Sequence, residues 1–218
     1  MNELPMAQEN PTPRIDFETR DTDDIRFVET LCWRLLAEAS HDRRSPMHTV
    51  VVGTSAGPLA HLRTVIVRRV DEDVRKVYFH TDIRSGKVAE IRDTGHLSWL
   101  AYDASRRSQI RLHGPTVLHH GDELCRLHWQ GTKHFSRRCY LLAEGPGRPL
   151  AQPREAFDER LSAFSYTAEE SEAGFDRFVV VETRVSEMEW YYTHSRGNRR
   201  ARFRYSGGGL QAADWLTP

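Results

Sequence analysis

The strongest constraint on this chain is its succession of short β-branched runs separated by turn chemistry. Val50–Val52 is one such run, Ser-Ala-Gly-Pro at 55–58 reads as a turn, and Leu62–Val70 resumes the strand. "KVYFHT" (76–81) follows the charged turn "DEDVR", and "LSWLAYD" (97–103) and "SQIRLHGPTVLHH" (108–120) follow in turn. The chain closes with "RFVVVETRVSEMEWYYT" (177–193), "RARFRYSGG" (200–208) and "LQAADWL" (210–216). Fewer segments have helical spacing. Ile25, Val28, Leu31, Cys32, Leu35, Leu36 and Ala39 predict an amphipathic helix that packs on a sheet, with Asp23 and Asp24 at its positive end. Ser85 opens a short helix in which Val88 and Ile91 share a face, and further helices are expected at 122–130 and 155–164. Strands joined by short connections favour a mainly β fold with peripheral helices, an antiparallel barrel or sandwich of the α+β class, over a doubly wound parallel sheet.

Composition narrows the function. Among 218 residues, Lys+Arg and Asp+Glu are both 31, so any anion site has to be local. Three separated cysteines fit a reduced, cytoplasmic protein with free thiols. Residues 1–14 have the polar, Pro-containing composition of a disordered tail, and 15–218 are expected to form one domain. No apolar run approaches the ~20 residues of a membrane span, so no membrane association is expected. Neither G-x-G-x-x-G after a strand nor G-x-x-x-x-G-K-[ST] occurs, which removes the main support for dinucleotide and P-loop readings. His113, His119, His120, His128 and His134 fit no zinc spacing, so no metal is expected. No serine lies in a G-x-S-x-G elbow. The basic cluster "RGNRRARFRY" is the one feature that suits an RNA-binding module, and in a chain of zero net charge it reads first as a solvated hairpin.

Residues 63–87 carry the most chemistry. Ser85-Gly86-Lys87 opens a helix directly after a strand, where the first amides lack intrahelical partners and favour an anion. Gly86 allows close approach, Arg84 and Lys87 add charge, and Arg63 offers a fork suited to phosphate. Taken alone, Ser-x-Lys at a helix start is more often an ordinary cap with a solvated lysine than a phosphate site. Arg63 and Arg68 fall on opposite faces of a regular strand, unless a bulge re-aims one of them. Gln109, Arg111 and His113 share one strand face.

In order, "VVVGTSAGPLAHLRTVIVR", "VYFHTDIRSGKVAEI", "SQIRLHG" and "RARFRY…WLTP" resemble the pyridoxamine 5′-phosphate oxidase-like family of FMN-binding split barrels, in its divergent oxidase-related branch. The resemblance implies a six-stranded antiparallel split barrel, a homodimer, and FMN at the dimer interface. It implies that Arg63, Lys87 and Ser85 hold the FMN phosphate, with Arg84 compensating for Gly86, which stands where the family has arginine. The backbone of Val65 and Ile66 would lie along the flavin ring, and His80 and Thr81 would occupy the family's Tyr-Thr. Gln109, Tyr191 (or Tyr192) and Arg202 would reach the flavin. Arg68 replaces the family's substrate lysine, and Asn198-Arg199-Arg200 replaces its Arg-Leu-His, leaving Arg68, Arg199 and Arg200 as candidate substrate contacts. The implied activity is hydride or electron transfer between a small-molecule substrate and FMN, with no nucleic-acid partner and no catalytic acid or base identified. An authentic pyridoxamine phosphate oxidase, a flavin reductase and a non-catalytic FMN-binding protein are the alternatives.

Overall fold

The computed structural model describes residues 20–218, so the expected disordered tail at 1–14 lies outside the described residues. Helix α1 (Ile25–His41) begins where Asp24 caps it, its carboxylate accepting from Arg26 N at 2.8 Å. Val28, Leu31, Cys32, Leu35, Leu36 and Ala39 are all buried, as their spacing predicts. Glu29 and Trp33 are buried too. Trp33 Nε1 donates to Tyr205 Oη at 2.9 Å, Tyr205 Oη donates to Glu29 Oε1 at 3.0 Å, and Arg75 Nη2 pairs with the same carboxylate at 3.1 Å. A polar network thus docks the helix alongside its apolar stripe, because a buried carboxylate needs partners.

Ten antiparallel strands form the sheet: β1 (Thr49–Ala56), β2 (Leu59–Ile66), β3 (Arg69–Asp71), β4 (Lys76–Asp82), β5 (His96–Asp103), β6 (Ser108–His119), β7 (Phe178–Arg184), β8 (Glu187–Tyr192), β9 (Arg199–Ser206) and β10 (Gly209–Leu216). The main path runs β10-β9-β8-β6-β5-β1-β2, and β7, β4 and β3 branch from it. The branch point is β6. Its first half pairs with β8 and its end, Thr116–His119, pairs with β7. Gly114 sits at the fork, where an added Cβ would lie 1.9 Å from the Arg184 carbonyl oxygen, so no other residue fits.

The antiparallel, mainly β class with peripheral helices is as expected; the described residues place ten strands in the sheet where the resemblance implies a six-stranded barrel, and the sheet is not closed: its main path ends at β10 and β2. Two runs read as continuous are broken. The 62–70 run divides because Val67 N donates to His48 O and Arg68 N to Tyr78 O, so the chain leaves β1 for β4. The 177–193 run divides where Val185 N donates to Arg75 O and Ser186 N to His113 O. The helix expected over 155–164 shrinks to a single turn, Glu159–Ser162, capped by Asp158 and followed by Phe164 at φ 55°. The short helix α2 (Gly86–Thr94) and helix α3 (Glu123–Gly131) form as read. Most buried side chains lie between α1 and the sheet; a smaller cluster of Tyr78, Cys125, Trp129, Phe178 and Val180 lies under α3. Among the described residues no helix is long and apolar enough to cross a membrane.

Candidate functional site

The start of α2, β4 and the β1–β2 hairpin converge on a cluster of hydroxyl and cationic groups. Lys87 Nζ donates to Ser85 Oγ at 2.6 Å and to Thr81 Oγ1 at 3.0 Å. Ser85 occupies the cap position of α2 but makes no side-chain cap bond, so its hydroxyl is turned to Lys87 rather than to the helix amides. Arg63 Nη2 donates to Glu90 Oε2 at 2.9 Å, and Nη1 donates to Thr54 Oγ1. Burial, and then the Arg63 charge, lower the Lys87 pKa, which places the two cations in one electrostatic neighbourhood. Two cations, two hydroxyls and the start of a helix form a donor set suited to a phosphate monoester. At Gly86 an added Cβ meets only Glu90 Oε1, at 4.0 Å, so the approach from that side is open. Beside this cluster β2 ends the main path of the sheet and, among the described residues, pairs only with β1, leaving alternate backbone N–H and C=O groups around Val65 and Ile66 without a described strand partner. A flavin ring needs such groups along its polar edge.

Two expected members are directed elsewhere. Arg84 forms a two-pronged pair with Asp82, at 2.9 and 2.7 Å, and its Nη1 donates to Leu142 O and Ala143 O at 3.0 Å. The DIR sequence places that carboxylate two residues away, and the guanidinium clasps the 140s loop instead of completing the cradle. His80 and Thr81, being adjacent on β4, face opposite sides. Thr81 meets Lys87, whereas His80 Nε2 lies 2.9 Å from His128 Nδ1 on α3. Burial first, and then His128 and Arg68, push the His80 pKa well down, so the ring is neutral. The loop held by Arg84 borders a cleft of about 810 Å³, lined by Asp82, Tyr140, Gly145, Arg154 and Leu161 among others, and neither Arg63 nor Lys87 lines it.

Gln109, Tyr191, Arg200 and Arg202 are brought together on the outer face of the sheet. Gln109 lies opposite Tyr191, Tyr191 opposite Arg200, and Glu189 opposite Arg202. Arg200 Nη2 pairs with Glu189 at 2.7 Å, Arg111 pairs with the same oxygen, and Arg202 pairs with Asp214 at 3.5 Å. Tyr191 Oη accepts from Asn198 Nδ2 at 2.8 Å. Tyr192 takes the inner face and stacks on Trp190, so of the two tyrosines it is Tyr191 that shares the outer face with Gln109. Arg199, one residue from Arg200, points the other way, to Asp23 at 2.8 Å and to Thr22. Arg68 lies exposed at the β2–β3 break.

Glu90, Thr54 and His61 were not singled out by the sequence, yet all three join the Arg63 cluster. Glu90 follows Lys87 by three positions on α2 and so shares its face, the only local signal available. Among the described residues no group of three or more His, Cys, Asp or Glu side chains is placed to hold a metal ion.

The fold is an antiparallel sheet forked at one long strand, with cations and hydroxyls gathered at a strand–helix junction. Residues 31–120 match the family model described as pyridoxamine 5′-phosphate oxidase, FMN-binding domain, the family that the order of the motifs resembles. No curated protein matches the sequence. Among solved structures, a pyridoxamine 5′-phosphate oxidase-related, FMN-binding protein from Nostoc punctiforme PCC 73102 superposes with a TM-score of 0.68 at 20% identity, covering 85% of this chain and 97% of its own. PhzG from Burkholderia lata 383, solved in complex with tetrahydrophenazine-1-carboxylic acid, gives 0.64 at 24% identity, covering 94% and 99%. At these identities the likeness establishes the fold.

Proposed function

We propose that the protein binds FMN between two copies of the chain and passes hydride or electrons between a small-molecule substrate and the flavin. The observation that carries the reading is the convergence of Arg63, Lys87, Ser85 and Thr81 at the start of α2, beside the open edge of β2. Arg63 and Lys87 supply charge for the phosphate, Ser85 and Thr81 orient Lys87, and the edge of β2 offers backbone groups to the ring. Bound FMN would supply the redox chemistry, while the chain supplies binding, orientation and electrostatics.

The homodimer is supported by geometry. Arg63, Val52, Trp99 and Leu112 lie opposite one another in the ladder and share the inner face, whereas Gln109, Tyr191 and Arg202 take the outer face. One chain cannot close both sets on a single flavin; a second copy can. Exposed Leu59, Leu62 and Tyr102, at 63, 69 and 52%, lie on the main path of the sheet and give such a copy apolar surface to cover.

The test is a titration of the purified protein with FMN and with riboflavin, followed by flavin fluorescence and the visible spectrum. FMN is expected to bind the more tightly. Equal affinities would remove the phosphate assignment, and absence of binding would remove the reading.

A further inference from the structure

Arg63 is held before any ligand is considered. Glu90 Oε2 accepts from its Nη2 at 2.9 Å, and Thr54 Oγ1 accepts from its Nη1 while itself donating to Glu90 Oε2. The other oxygen of Glu90 lies 2.6 Å from His61 Nδ1. Three side chains from the two strands of the β1–β2 hairpin therefore grip one carboxylate, whose side chain is only 15% exposed. Burial would raise that carboxyl, but hydrogen bonds from Thr54, His61 and Arg63, together with the Arg63 charge, outweigh it and hold the pKa at about 2. The group is an anion at any working pH.

An arginine reaching from an edge strand has several rotatable bonds, and ordering it costs side-chain entropy. Glu90 and Thr54 take one N–H from each terminal nitrogen, and a guanidinium carries five. The remaining donors have no partner among the described residues and belong to a fork already fixed in direction. Glu90 also sits on the same face of α2 as Lys87, so the helix that presents Lys87 aims Arg63 as well. Its negative charge offsets the repulsion between the two cations.

We propose that Glu90 is the positioning residue of the phosphate cradle: it grips Arg63 so that the free donors of the guanidinium meet a phosphate monoester together with Lys87. This rests on the FMN reading above and adds a residue that reading does not require. The experiment titrates FMN and riboflavin into the flavin-free full-length protein and its Glu90→Ala, Glu90→Gln and Thr54→Val variants. Glu90→Ala is expected to weaken FMN binding by about tenfold or more while riboflavin affinity stays within about twofold, because only the phosphate interaction depends on the grip. Glu90→Gln keeps one oxygen to accept from Arg63 and Thr54 while its amide N–H faces His61 and its charge is gone, so it is expected to lie between the parent protein and Glu90→Ala in FMN affinity. Thr54→Val keeps the shape, removes one grip on Arg63, and provides the reading if Glu90→Ala does not fold; it is expected to weaken FMN selectively. The inference is overturned if the Glu90→Ala protein binds FMN like the parent, if it loses FMN and riboflavin alike, or if Glu90→Gln is as weak as Glu90→Ala. Failure of the parent protein to prefer FMN would instead overturn the phosphate reading itself, and this inference with it.

Discussion

Arg63 and Gln109 occupy the same sheet and face opposite sides of it. The register linking them is unbroken, from Arg63 opposite Val52, through Trp99, to Leu112, three residues from Gln109. If both touch FMN, they come from different chains. An Arg63→Ala variant and an Arg202→Ala variant, each weak alone, should therefore restore FMN binding when mixed under conditions that let subunits exchange. The mixed dimer keeps one intact site. Light scattering should show a dimer, and a monomer holding stoichiometric FMN would refute the two-chain site.

Removing a cradle cation should act on the phosphate alone. A charge-assisted hydrogen bond contributes on the order of 1.5–3 kcal/mol, so Arg63→Ala or Lys87→Ala should weaken FMN binding roughly tenfold to a hundredfold. Arg84→Ala should change it much less, because Arg84 is committed to Asp82 and the Leu142–Ala143 carbonyls. Isothermal titration of the three variants separates the two roles.

Stability should fall with acid through the paired imidazoles. Burial, and then the Arg69 charge, lower the His128 pKa to about 4, and His80 is held well down as well. The unfolded chain, with histidine near 6.5, binds more protons than the folded one between those values. The stabilisation is therefore complete above about pH 6.5 and is lost as pH falls toward 4. For a half-buried ring, screened by solvent, the His128 share is on the order of 1–2 kcal/mol. Urea unfolding at pH 7 and pH 4.5 should show a smaller difference for His128→Gln than for the parent protein. An equal difference would assign the acid sensitivity to other groups.

Much of this was legible locally. The α1 stripe, the hairpin turn and the alternation in β6 follow from periodicity over a few residues, and periodicity is a property of neighbours in sequence. What the periodicity leaves open is which edge each strand pairs with. The division of 62–70 depends on His48 and Tyr78, and the fork in β6 depends on β7 and β8 arriving on the same side. Arg63, Ser85 and Lys87 could be nominated together because their residue types suit phosphate chemistry, and the structure brings them into one neighbourhood. Glu90 was not, since its role exists only once α2 is laid beside the β1–β2 hairpin. Arg84 looked like a cradle cation because the competing Asp82 and the 140s loop carry no signal of their own.

Gly114 should tolerate no side chain. Gly114→Ala places a Cβ against the Arg184 carbonyl where β6 forks, so either β7 or β8 has to move. Overpacking of this kind costs about 3 kcal/mol, a large part of a domain's stability. Denaturant unfolding should register that loss, and a variant as stable as the parent would show that the fork opens easily.

Turnover of pyridoxamine 5′-phosphate by the FMN-loaded protein should be poor. The groups that the family resemblance assigns to that substrate are changed in kind, and the structure shows the replacements engaged elsewhere. Arg199 is paired with Asp23 and Thr22, Arg200 with Glu189, and Asn198 donates to Tyr191. Arg68 stands where a lysine would place a compact charge, and it sits at a break between strands rather than within one. A site built around polar contacts discriminates through the groups left unpaired, so losing several of them should cost several kcal/mol of transition-state binding. That corresponds to kcat/KM lower by roughly a thousandfold or more. Arg68 keeps its charge at the surface and Arg200 lies beside Tyr191 on the outer face, so a different anionic small molecule remains compatible with the same geometry. The measurement is oxygen-dependent formation of pyridoxal phosphate by the FMN-loaded protein. A rate matching an authentic oxidase would show that Arg68 and the Asn198–Arg200 segment rearrange to serve the substrate after all.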